Sequence, residues 1–164
     1  MNTRLMHRGE RGFTLIELLV AIALAGLVTA GITFAINQVL TINSRASNHM
    51  ICVRQVQQAG KEVSKDALQA QEVTYTANPF LLALVWTDWE GAVNNVTYEI
   101  DGDKLVRRDN GSGDRVIAEY VDPAQTSCEP VGLLQDGGTL TFTVTAAVGT
   151  ESETRIYEIE PRPG

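Results

Sequence analysis

The chain has 164 residues, 20 acidic and 13 basic side chains, and a formal net charge of −7, enough for one soluble domain and a membrane stalk. The acidity is uneven: residues 70–164 hold 16 acids against 6 bases, which argues against tight binding to nucleic-acid phosphates. The only histidines are His7 and His49 and the only cysteines Cys52 and Cys128. They suggest no Ser/His/Asp or Cys/His grouping and no zinc site, and the sequence has no Gly-rich phosphate loop.

Residues 1–12 carry Arg4, Arg8 and Arg11 against Glu10, a net charge of about +2 that should hold this end in the cytoplasm. Residues 13–40 form an apolar stretch of 28 residues, which as a helix would reach ~42 Å and span a bilayer. From 18 to 36 there is no charge, and Thr29 and Thr33 are the only hydroxyl side chains. An ordinary secretory signal is the rival reading. It needs a small-residue cut after the apolar core, whereas Ala21-Ile22-Ala23 and Ala23-Leu24-Ala25 lie inside the run. Glu17 is the exception within the stretch. An ionisable group near hydrocarbon is costly and needs a partner.

The run Arg11-Gly12-Phe13-Thr14-Leu15-Ile16-Glu17-Leu18-Leu19-Val20-Ala21-Ile22 resembles the processing site of type IV pilins and pseudopilins. The resemblance implies a cut between Gly12 and Phe13 by a prepilin peptidase, followed by N-methylation of Phe13. It also implies an assembly role for Glu17, whose carboxylate would pair with the terminal amine of a neighbouring subunit. The alternative is that Glu17 sits at headgroup level near the positive end of the helix dipole. The physical logic suits the resemblance: Gly12 lets the backbone lie close to a protease. The implied partners are the prepilin peptidase, other pilin or pseudopilin subunits, an inner-membrane assembly platform, and membrane lipid before assembly. One departure matters. Many major pilins have a proline inside this helix, and residues 13–40 have none, which points to a minor subunit.

Beyond Leu40, apolar or small residues fall at Ile42, Ala46, Met50, Val53, Val56, Gly60, Val63, Ala67 and Ala70. Steps of three and four predict an amphipathic continuation of the helix over 41–70. Gly60 costs ~1 kcal/mol against Ala inside a helix, so a closely crossing strand is expected there. After residue 71 the period changes to two. Strands are expected at 72–76, around 93–100, from 105 to 108, at 116–121, 139–148 and 155–159; 80–87 is a buried strand or a short helix. Asp101-Gly102 marks a hairpin. Cys52 falls on the helix and Cys128 in a loop, leaving open either a disulfide between them, worth ~4 kcal/mol in the chain-entropy picture, or two unpaired thiols. The fold expected is α+β: a pilin-like lollipop with a long N-terminal helix packed against an antiparallel β-sheet head over 71–164.

A second resemblance lies in the head. Val96-Thr97-Tyr98-Glu99-Ile100-Asp101-Gly102-Asp103-Lys104-Leu105-Val106-Arg107-Arg108, followed by Val116-Ile117-Ala118-Glu119, is similar to the head of J-type minor pseudopilins and related minor pilins. Asp101, Asp103, Asp109 and Asp114 lie close together in sequence, but Lys104, Arg107, Arg108 and Arg115 interleave them. Solvated turn charges are the better reading than calcium, and no metal or other cofactor is expected. Trp86 and Trp89 read as core or core-edge residues, with an exposed recognition patch as the alternative. The expected function is that of a non-enzymatic subunit, single-pass in the inner membrane with its head outside. It would enter, prime or cap a type II secretion pseudopilus or a type IV pilus. A signal-anchored binding or adhesin domain that never enters a filament is the alternative.

Overall fold

The structure, a computed structural model, describes residues 12–77, 79–111, 113–131 and 138–161. The leader residues 1–11, with Arg4, Arg8 and Arg11, lie outside the described residues. One helix, α1 (Leu15–Ala67), is followed by eight strands: β1 (Glu72–Thr76), β2 (Leu81–Thr87), β3 (Val93–Asp101), β4 (Lys104–Asp109), β5 (Arg115–Ala118), β6 (Ser127–Val131), β7 (Thr139–Val148) and β8 (Glu151–Ile159). The chain divides into two compact units between Asn43 and Ser44.

In the first unit α1 runs without a break, as the absence of proline allows. Every residue from Gly12 to Asn43 is exposed. The helix is long and apolar enough to cross a membrane. Its hydroxyls are satisfied locally: Thr29, Thr33 and Thr41 each donate to the carbonyl four residues back, those of Ala25, Thr29 and Asn37 respectively, at 2.8–2.9 Å.

In the second unit the rest of α1 lies against the strands through Cys52, Val56, Ala59, Gly60, Val63, Asp66 and Ala67, all buried. The apolar spacing expected for this face holds from Val56 onward; Ile42, Ala46 and Met50 are exposed. α1 ends at Ala67 rather than Ala70, where Gln69 and Ala70 donate back only three residues, to Asp66 and Ala67. Such tightening is common in a last turn.

The head has two antiparallel sheets where one was expected. β1-β2-β3-β4-β5 form a five-stranded meander and β6-β7-β8 a three-stranded one. The change of sheet occurs at Tyr120, the only non-glycine described with positive φ, at 60°. Such a backbone costs on the order of 1–3 kcal/mol and must be held by its surroundings. Here Tyr120 accepts from Ala147 N at 2.8 Å, Val121 donates to Asp103 O at 2.8 Å, and Val121 bridges Ala146 of β7. The ambiguous stretch 80–87 is a strand, β2, because Leu82 and Leu84 alternate inward. At the β3–β4 hairpin the two loop residues are Gly102 and Asp103, since Asp101 still pairs Lys104. Gly102 takes φ 65° at the first loop position, where a type II′ turn calls for glycine.

The core joins both sheets to α1. Tyr98, Phe142, Leu82, Leu84, Leu105, Leu140, Val56 and Val63 are its largest fully buried side chains. Each buried Leu, Val or Phe contributes ~1.5–3 kcal/mol from removed apolar surface. Gly60 answers the expectation of a close crossing: β8 passes over it, and Tyr157 occupies the space where a Cβ would stand. The Tyr157 hydroxyl donates to Val56 O at 3.0 Å, and its ring stacks on Phe142 with centroids 6.3 Å apart.

Candidate processing and assembly site

The start of the described chain is built by four residues. Gly12 and Phe13 precede α1, and the Phe13 side chain is 84% exposed. Thr14 caps the helix. Its backbone N donates to Glu17 Oε2 at 3.0 Å, its hydroxyl to the same oxygen at 2.9 Å, and Glu17 N donates back to Thr14 Oγ1 at 3.3 Å. This is a capping box, Thr-x-x-Glu, in which side chains satisfy backbone donors that the first helical turn leaves unpaired. Glu17 Oε1 has no hydrogen-bond partner among the described residues. The carboxylate thus stands at the positive end of a helix with one oxygen fixed and the other open. Thr14 was not singled out from the sequence, although the Thr-x-x-Glu spacing before an apolar run is its signal.

Residues 7–33 match the family model of the prokaryotic N-terminal methylation motif. The match covers 27 of the 164 residues and supports a prepilin-type N-terminus, as in proteins of the type IV pilin superfamily. With the exposed apolar helix it fits a membrane-anchored protein. The motif implies processing by prepilin peptidase and assembly with pilin subunits. No curated protein and no solved structure matches the chain.

The other residues of interest in the sequence are dispersed. Cys52 and Cys128 are both buried and both free in the structure. Cys52 Sγ points to Glu151 O at 3.6 Å, at the start of β8. Cys128 lies in β6, not in a loop, opposite Phe142 of β7. Burial raises the pKa of both thiols, that of Cys128 to about 12. Among the described residues no group of three His, Cys, Asp or Glu side chains is placed to hold a metal ion. Asp101 and Asp103 are exposed at the β3–β4 turn, Asp114 lies 3.7 Å from Arg108, and Asp109 is held by Arg107 and Gly111 N, each at 3.0 Å. The Gly111 amide and then the Arg107 cation keep the Asp109 pKa below the ordinary carboxylate value. The two tryptophans part company: Trp86 packs against the core, whereas Trp89 is 91% exposed at the β2–β3 turn.

A buried polar group had no signal in the sequence. Asp66, on the core face of α1, accepts from Tyr98 Oη at 2.6 Å and from Arg107 Nε at 2.7 Å. Tyr98 and Arg107 are direct partners across β3 and β4, so the register that places one beside Asp66 places the other too. Burial, then the hydrogen bond to the Asp66 carboxylate, raises the Tyr98 pKa. Burial works against the Arg107 cation, but its bonds to Asp66 and Asp109 prevail and raise its pKa. This group fastens the end of α1 to the larger sheet.

Proposed function

We propose that this protein is a structural subunit of a type IV pilus or a type II secretion pseudopilus, cut between Gly12 and Phe13 and N-methylated at Phe13. The observation that carries the proposal is the methylation motif set on a long, exposed, apolar helix whose first turn holds Glu17 ready. Before assembly the subunit waits in the inner membrane, N-terminus in the cytoplasm and head outside, and an assembly platform then draws it into the filament. There the apolar helices bundle, and one repeated heterologous contact generates the fibre. A cut at Gly12 would place a new ammonium one residue before Thr14. The open Glu17 Oε1 suits the corresponding ammonium of a neighbouring subunit, since opposite charges in a low dielectric attract strongly. The unbroken helix and the Tyr98–Arg107 hairpin favour a minor, priming subunit like the J-type pseudopilins.

Glu17→Gln separates the two duties of the carboxylate. Glutamine also completes a capping box, so this variant keeps the helix start and loses only the charge, whereas Glu17→Ala loses both. Both variants are expected to be cut normally, read as a mature N-terminus at methylated Phe13 by mass spectrometry, and both to fail to enter filaments. Retention of residues 1–12 in cells with active prepilin peptidase, with full function of Glu17→Gln, would overturn the proposal in favour of a signal-anchored binding domain.

A further inference from the structure

The polar side of α1 in the head carries one sign of charge. Arg54, Gln57, Gln58, Lys61 and Lys65 are all exposed on it. None of its three cations lies within ion-pair distance of a carboxylate among the described residues. Glu62 borders the row, but its Oε2 accepts from Arg115 Nη2 at 2.7 Å. Arg54 and Lys61 are seven residues apart, two helical turns, and so stand ~10.5 Å from each other along the helix.

A counterpart of matching dimensions lies on the smaller sheet. Glu129 of β6 pairs with Thr141 of β7, and Thr141 with Glu158 of β8. Two glutamates therefore flank one threonine across two strand spacings, ~10 Å. Both are exposed, and neither is in an ion pair among the described residues. The pleat sets them on the opposite face from Cys128, Phe142 and Tyr157. Tyr157 is the side chain that reaches α1, so the acid row lies on the other face of the sheet, with Glu158 at the edge of a cleft it shares with Ser64 and Leu68. Within one subunit neither row is ion-paired among the described residues, and a second subunit can bring the two together.

We infer that Arg54 and Lys61 of one subunit dock on Glu129 and Glu158 of a second copy, with Gln57 and Gln58 over Thr141. This rests on the filament-subunit reading and names the first contact that a priming subunit makes. Because the two faces differ, the contact is heterologous and leaves a free face at each end for further addition. Exposed ion pairs are individually weak. Confinement of both helices to one membrane raises the effective concentration and lets two such pairs suffice.

The test uses the full chain in vesicles of zwitterionic phospholipid, which confine the copies to one membrane, with donor and acceptor dyes at the C-termini of two co-reconstituted preparations. Energy transfer between copies is expected at low salt and to fade as salt screens the pairs. R54E/K61E and E129K/E158K should each weaken self-association about tenfold, and mixing the two variants should restore it. A carbodiimide is expected to join Lys61 of a light copy to Glu129 or Glu158 of an isotopically heavy one. Failure of the mixed variants to associate would overturn the inference, as would reversal without effect. So would association that appears only after anionic phospholipid is added, since the basic row would then be a headgroup site. The N-terminus of the same preparation keeps the two readings apart. A correct Phe13 terminus without rescue sinks the docking alone, and an uncut leader from peptidase-active cells sinks the filament reading.

Discussion

Gly60→Ala sets helix propensity against packing, and the structure decides which wins. Alanine is the better helix former by ~1 kcal/mol, so in an exposed helix the change would stabilise. At position 60 an added Cβ falls inside the Tyr157 ring, whose Cζ, Cε1 and Cε2 are its nearest neighbours. The ring must move, and three contributions go with it. The hydroxyl bond to Val56 O contributes ~1 kcal/mol, and the stacking on Phe142 ~1 kcal/mol. Overpacking a filled site adds ~1–3 kcal/mol. Set against the gain in propensity, the net loss is ~2–4 kcal/mol. Urea unfolding of the full chain in micelles, followed by the fluorescence of half-buried Trp86, measures it. In a Tyr157→Ala background the obstacle is gone, and the same Gly60→Ala change should stabilise by ~1 kcal/mol. A stabilising Gly60→Ala in the wild-type chain, or the same sign in both backgrounds, would refute the reasoning.

Asp66→Ala strands the Arg107 guanidinium, only 15% exposed, with Asp109 as its remaining partner; a loss of ~3–4 kcal/mol is expected in the same urea unfolding assay, and Asp66→Leu combined with Arg107→Met should cost less than the two single changes together. The buried thiols give a pH signature. With its folded pKa at about 12, Cys128 favours the neutral form, so its contribution is complete below the unfolded value of ~8.5 and declines as pH rises from there toward 12. Native protein at pH 8 should resist alkylation at both cysteines, unfolded protein should react at both, and Cys128→Ala should flatten the alkaline fall in stability.

The α1 helix and its buried side were legible because a single period runs from Val56 to Ala67. The processing motif was legible because its residues are contiguous. The cap at Thr14 is just as local, a threonine three residues before a glutamate at the head of an apolar run. Two other features had no local trace. The split into two sheets hangs on the Tyr120–Val121 corner, held by Asp103, Thr145, Ala146 and Ala147 from distant parts of the chain. The Asp66 group unites residues 32 and 41 positions apart, and only the fold brings them together. Pro130, two residues after Cys128, is a signal against a strand there. Proline is nonetheless admissible there, because among the described residues β6 is an edge strand paired with β7 alone.

The threonine hydroxyls of the apolar helix bear on how such a segment changes surroundings. Thr29, Thr33 and Thr41 direct their protons into their own helix, so they ask nothing of the medium. Lipid tails and the side chains of neighbouring helices are then nearly equivalent solvents for this stretch. Passage from one to the other breaks none of these bonds and makes none in their place. On the filament-subunit proposal, the direction of travel is left to shape, to the pull of an assembly platform, and to the single carboxylate at the helix start.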